Sequence, residues 1–138
     1  MESGGNTYGS NPVCNALGYA ACEIAYDQCE AWLNKLLSVI RENHQIIADY
    51  MTKEFPQIDL IDMQGTYLLW MDWSRLGISF RELERINRME AQLFFDEGFI
   101  FGEQGENFER WNLACPTSCI TAALERMKTT YSAYIQKH

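Results

Sequence analysis

A chain of 138 residues, 47% of them apolar, is long enough to bury one core and fits one domain. The net charge of −8, with basic residues scattered rather than clustered, excludes a nucleic-acid backbone or an anionic membrane as main partner, because both select basic surfaces. No apolar run approaches a membrane span and no basic-then-apolar leader opens the chain, so a cytoplasmic protein is expected.

Residues 1 to 10, "MESGGNTYGS", are small, polar and glycine-rich and read as a linker or disordered end. No strand precedes the glycines and no GKS/T follows them, which argues against a phosphate-cradling loop. From residue 11 to 138 the chain reads as one domain. Asn11 can cap a helix and Pro12 suits its first turn. Leu33, Leu36, Leu37, Ile40, Ile47 and Met51 keep helical spacing, and Pro56 stops the run. More than forty residues is long for one helix, so a break is expected near Gln28 to Trp32. The earlier half, "CNALGYAACEIAY", is nearly free of charge, and a helix of that kind wants protein on several sides.

"GTYLLWMDW" (65 to 73) is β-branched, aromatic and apolar on both faces, the mark of an interior strand. Ser79 to Glu82 forms a capping box for a helix with Leu83, Ile86 and Met89. Arg81, Arg85 and Arg88 there are interleaved with Glu82, Glu84 and Glu90, a solvated face. Residues 92 to 101 look extended, 102 to 107 form a loop, and 108 to 115 return as an antiparallel partner. Ser118 is placed to cap a last helix with Ile120, Ala123, Leu124, Met127, Tyr131, Tyr134 and Ile135 on its stripe. The order α(α)βαββα predicts an α+β fold, a small antiparallel-rich sheet covered by helices with a long helix at its N-terminal end.

The five cysteines include no CxxC pair, and His44 and His138 do not complete a zinc set. Cys14, Cys22 and Cys29 share one helical stretch, and Cys115 and Cys119 flank the strand-to-helix turn. Free cysteine packs as a small apolar residue, so reduced, structural thiols and no metal are expected. There is no GxSxG, no HExxH and no serine–histidine–acid signature. Asp96 and Glu97 read as turn acids beside a loop.

Arg110 stands apart. It lies in "FERWNLACPTS" (108 to 118), on the strand face shared by Phe108 and Asn112, with Trp111 and Leu113 on the other. A guanidinium in such a strand needs a negative partner. It is either a structural arginine paired to a nearby acid, or a fork aimed at a planar carboxylate or phosphate.

Three segments together resemble a known family. "ACEIAYDQCEAWLNKLL" (21 to 37) is similar to the long interdomain helix of class I/II aminotransferase-like enzymes of fold type I. The resemblance is strongest to the cystathionine β-lyase-like (PatB/MalY type) group of pyridoxal-phosphate enzymes. "QGTYLLWMDW" (64 to 73) resembles its "EGTYL.W.D" strand, and "FGEQGENFERWNLACPTS" (101 to 118) its "FG..G.GF.R.N.ACPRS" segment. The resemblance implies the C-terminal small domain of a two-domain enzyme, with part of the interdomain helix. It implies that Arg110 binds the α-carboxylate of an amino-acid substrate, that Asn112 supports that geometry, and that Phe101 and Gly102 belong to a loop closing over it. Thr117 departs from the arginine usual at its position. Pyridoxal 5'-phosphate is implied for the full-length enzyme and none for this chain alone. Its lysine and phosphate-binding residues belong to the large domain, and Lys35, Lys53, Lys128 and Lys137 read as surface residues. The expected partners are the substrate carboxylate, the large domain and, for the full-length enzyme, a second copy. The chain alone is expected to be inactive. The rival reading is a stand-alone α+β module that binds a small carboxylate or a protein partner without chemistry.

Overall fold

The computed structural model describes residues 15–135. The expected linker, the Asn11–Pro12 helix start, Cys14, Lys137 and His138 lie outside the described residues. The chain divides into two units, Met1–Lys35 and Leu36–His138.

In the first unit, helix α1 (Ala16–Gln28) starts with Asn15 as its cap, the Asn15 Oδ1 accepting from the Gly18 N–H at 2.8 Å. The helical ladder breaks at Cys29 (φ −104°, ψ 14°), inside the expected window. Helix α2 (Glu30–Glu54) follows, with the Cys29 carbonyl taking its first bond from the Leu33 N–H. No residue of α1 is buried, and Leu17, Tyr19, Ile24 and Tyr26 are exposed along it.

The second unit holds the core. On α2, Ile40, Asn43, Ile47 and Met51 form one buried stripe, and the helix ends ahead of Pro56. Strand β1 (Asp59–Leu60) was not anticipated, because two residues are too few to show a period. Strand β2 (Leu68–Asp72) is the centre of the expected apolar segment. Leu69 and Met71 are fully buried, whereas Leu68, Trp70 and Asp72 on the other face are half-buried. Only one face of the sheet is therefore core.

Helix α3 (Phe80–Arg85) begins at the expected capping box, the Ser79 Oγ accepting from the Glu82 N–H. It continues into a π-helical turn, Ile86–Glu90, in which the Ala91 N–H reaches back to the Ile86 carbonyl. The wider turn changes the phase of the stripe. Leu83, Ile86 and Asn87 go inside, and Met89, expected with them, turns out to solvent.

The extended segment expected over 92 to 101 shrinks to strand β3 (Asp96–Glu97). Residues Gly98–Phe101 and Glu103–Gly105 are 3-10 turns. Asp96 and Glu97 are thus strand residues, not turn acids. The return strand β4 (Phe108–Asn112) is shorter than expected; beyond it the Leu113 N–H makes one more bond across, to the Tyr67 carbonyl, and Asn112 Oδ1 accepts from the Ala114 N–H in the turn that follows. The sheet order is β1-β2-β4-β3, antiparallel throughout. Helix α4 (Thr117–Ile135) begins one residue before Ser118, which lies in its first turn rather than capping it.

Ile120, Ala123, Leu124, Met127 and Tyr131 of α4 complete a core with the α2 stripe, Leu69, Met71, Trp73 and Trp111. Trp73 and Tyr131 meet at 4.9 Å between ring centroids. Buried Asn43 donates from Nδ2 to the carbonyls of Leu113 and Cys115, both at 2.9 Å, and so fastens α2 to the exit of β4. The fold is α+β: a four-stranded antiparallel sheet with helices over one face.

Candidate functional site

The other face of the sheet carries the candidate site. Strand alternation on β4 places Phe108, Arg110 and Asn112 there and sends Glu109 and Trp111 into the core. Arg110 lies between two register partners, Trp70 on β2 and Asp96 on β3. Its Nε and Nη2 both donate to Asp96 Oδ2, at 3.1 and 2.8 Å. The guanidinium carbon sits 4.4 Å from the Phe101 ring centroid and 5.7 Å from that of Trp70. The two rings meet edge-on at 5.4 Å.

This arrangement uses one edge of the guanidinium and leaves another. Asp96 takes the side edge, Nε with Nη2, and does so through a single oxygen. Nη1 has no partner among the described residues, so the end edge, Nη1 with Nη2, remains for a second planar acceptor. The Arg110 side chain keeps 23% of its surface and Asp96 keeps 49%. The pair is therefore partly wet, and a new carboxylate meets a cation that is already oriented.

The loop bearing Phe101 is shaped by glycine. Gly102 has φ 131°, ψ 170°, a region closed to other residues. Gly98 and Gly105 close the base of the loop on each other. A Cβ on Gly98 would lie 2.2 Å from the Gly105 carbonyl oxygen, and one on Gly105 would lie 2.0 Å from that of Gly98. Phe101 is thereby delivered over Arg110. Asn112 shares the strand face, but its Oδ1 is committed to the Ala114 N–H, and no bond joins it to Arg110. Phe101, Arg110 and Trp70 are thus brought together, Gly102 shapes their loop, and Asn112 stands one register step along.

Behind Arg110, on the core side of the same strand, lies a charged cluster that sequence reasoning missed. Glu109 is buried, and its Oε2 has no hydrogen-bond partner. Burial, then the neighbouring Glu97 carboxylate, push its pKa up to about 8; the Asn87 amide opposes the rise. Glu97, also buried, is held by Arg88, whose Nε donates to its Oε1 at 2.6 Å. The Tyr131 hydroxyl donates to Asn87 Oδ1 at 2.6 Å, and burial first and then the Glu109 charge raise that phenol's pKa. The signal for Glu109 was the period of two: once Trp111 and Leu113 point inward, residue 109 does too.

With this geometry in view, the comparisons with known proteins are informative. No family model matches the chain. It is 33% identical over 104 residues to protein MalY of Escherichia coli, covering 75% of this chain and 27% of that protein. Over 118 residues it is 29% identical to cystathionine beta-lyase PatB of Bacillus subtilis, covering 86% of this chain and 30% of PatB. Among solved structures, cystalysin from Treponema denticola, which contains pyridoxal 5'-phosphate, superposes with a TM-score of 0.83 at 41% identity, over 86% of this chain and 30% of its own.

The chain belongs to the cystathionine β-lyase-like, PatB/MalY family.

It spans about 30% of the length of the relatives it matches. A pyridoxal-phosphate site needs a lysine amine for the aldehyde, a carboxylate for the pyridine nitrogen and donors for the phosphate. Lys53 and Lys128 both lie on Glu54, at 3.5 and 3.0 Å, and Lys35 belongs to the other unit from Arg110. Asp96, the carboxylate nearest Arg110, is taken up by it. The described residues do not fit the cofactor, and no step through it is assigned to them.

Proposed function

We propose that the chain is the C-terminal small domain, with part of the interdomain helix, of a pyridoxal-phosphate-dependent aminotransferase or carbon–sulfur β-lyase. Its task is to grip the α-carboxylate of an amino-acid substrate. The carrying observation is the half-used guanidinium of Arg110: oriented by Asp96 on one edge, lined by Phe101 and Trp70, and unpaired on the other. Two parallel charge-assisted bonds to a carboxylate, each about 1.5–3 kcal/mol, suffice to orient a small substrate. Pyridoxal phosphate, bound by another part of the enzyme, supplies an electron sink for carbanionic charge at Cα. The share of this chain is orientation, because a fixed carboxylate limits how the Cα substituents stand.

Phe101 and Gly102 serve as the closing loop, and Asn112 holds the strand exit on which Arg110 depends. The exposed side chains of Leu17, Tyr19, Ile24 and Tyr26 on α1 are covered by the large domain of the enzyme, which works as a homodimer. Free Cys22, Cys29, Cys115 and Cys119 suit the reducing cytoplasm. The experiment is to purify the natural gene product that carries this segment. Visible cofactor absorbance and keto-acid release from cysteine-type substrates support the reading. A colourless protein that binds carboxylates without turnover would instead establish the stand-alone module.

A further inference from the structure

We propose that strand β3 is a clasp that sets the Arg110 guanidinium through Asp96 and is itself fastened through Glu97, so that a second negative charge at Glu109 unfastens it. Asp96 is then a positioning residue for Arg110. The consequence for substrate capture rests on the carboxylate-grip reading above; the charge coupling does not.

The geometry begins with the brevity of β3. It has two residues, each an acid and each paired across β4: Asp96 with Arg110, Glu97 with Glu109. Successive strand residues face opposite sides, so the first acid belongs to the open face and the second to the core. Neither can move far without the other. Like β1, it is an edge strand of two residues with few ladder bonds to hold it, and it runs into a 3-10 turn at Gly98.

On the core side one cation serves three acids. Arg88 binds Glu97 through Nε and Nη2 and reaches Glu84 at 3.5 Å. The groups that bear on Glu109 are Glu97 from β3, Glu84, Asn87 and Arg88 from α3 and its π turn, and Tyr131 from α4. Glu90 and Tyr134 act on the same Tyr131. Arg88 is the only cation of this set and is already committed. A neutral Glu109 fits beside Glu97, and its orphaned Oε2 is tolerable while the group carries no charge. Ionisation would set two carboxylates face to face in register over one guanidinium, each like-charge contact opposing the pairing. Strand β3 is what can yield. As Glu97 withdraws, Asp96 withdraws with it, and Arg110 is left held by the rings of Phe101 and Trp70 alone. The clasp is closed while Glu109 keeps its proton and opens as Glu109 loses it.

The test uses the purified 138-residue chain and reads no activity. The Arg110 Nε–Hε resonance and the Glu109 carboxyl carbon are followed by NMR from about pH 5 to about pH 9. The expected result is that both move together, with one midpoint well above the ordinary carboxylate range. Glu109→Gln should hold the Arg110 resonance at its low-pH position throughout. Asp96→Asn, at a half-exposed site, should move that resonance at every pH while the Glu109 titration persists. An Arg110 signal that stays still while Glu109 titrates would overturn the proposal, as would a Glu109 midpoint near that of an ordinary glutamate. Should Glu109→Gln fail to fold, Asp96→Asn decides alone: with the link removed, the Arg110 resonance should no longer follow the Glu109 midpoint, and an Arg110 signal that still follows it would overturn the proposal. Failure of the carboxylate-grip reading would register elsewhere, in substrate discrimination, and leave this titration untouched.

Discussion

Glu109 and Arg110 are adjacent on one strand, both charged, and they stand in opposite surroundings. Arg110 faces the open side, keeps about a quarter of its side-chain surface and has an acid on one edge. Glu109 faces the core, is 2% exposed and has an oxygen without a partner. A charge with a half-wet partner is inexpensive to keep and ready for a ligand. A buried acid with no cation of its own is held by giving up its charge. One face thus keeps its charge in partial contact with solvent, and the other shuts an acid away from it.

The largest effects expected are on the core face. Glu109 has its pKa raised from 4.5 to about 8 in the fold, so its contribution to stability is fully present below about pH 4.5 and lost as pH rises through about 8. Glu109→Gln should flatten that dependence. Urea titrations should show it more stable than the parent by up to about 5 kcal/mol in alkali and nearly equal in acid. An equal pH slope in both proteins would show that Glu109 is not the group responsible. Trp111→Ala, on the same face, should cost about 3–5 kcal/mol in the same assay.

Smaller effects belong to the open side. Gly98→Ala places a methyl carbon within 2.2 Å of backbone, so about 1–3 kcal/mol should be lost and the Phe101 loop displaced. A change in near-ultraviolet circular dichroism would report that displacement of the aromatic group. Asp96→Asn should change stability by less than about 1 kcal/mol, since the ion pair is partly solvated. A loss as large as that of Trp111→Ala would mean the open face is structural after all.

How much of this was legible depends on length and period. The stripes of α2 and α4, the Ser79 capping box and the interior strand around Leu69 each repeat often enough to be read in sequence. The break at Cys29 followed from an implausibly long helix. Strands β1 and β3 have two residues each and no period, and with β3 hidden, Asp96 and Glu97 passed for turn acids. The π turn was invisible because a hydrogen bond that spans one extra residue leaves no mark in composition, and Met89, which lies within it, faces outward. Arg110 attracted attention as the buried charge of its strand, yet the costlier burial is next to it. Its ion pair with a nearby acid, the structural alternative, is present, but it occupies one edge only.

The most direct measurement concerns that free edge. In the natural gene product, kcat/KM is compared for an amino-acid substrate and for the amine lacking only its carboxylate, in the parent and in Arg110→Gln. The expected result is a drop of about 10²–10⁴ for the amino acid, equivalent to two lost charge-assisted bonds, and little change for the amine. An equal drop for both compounds, or none for either, would contradict the assignment of Arg110 to the carboxylate.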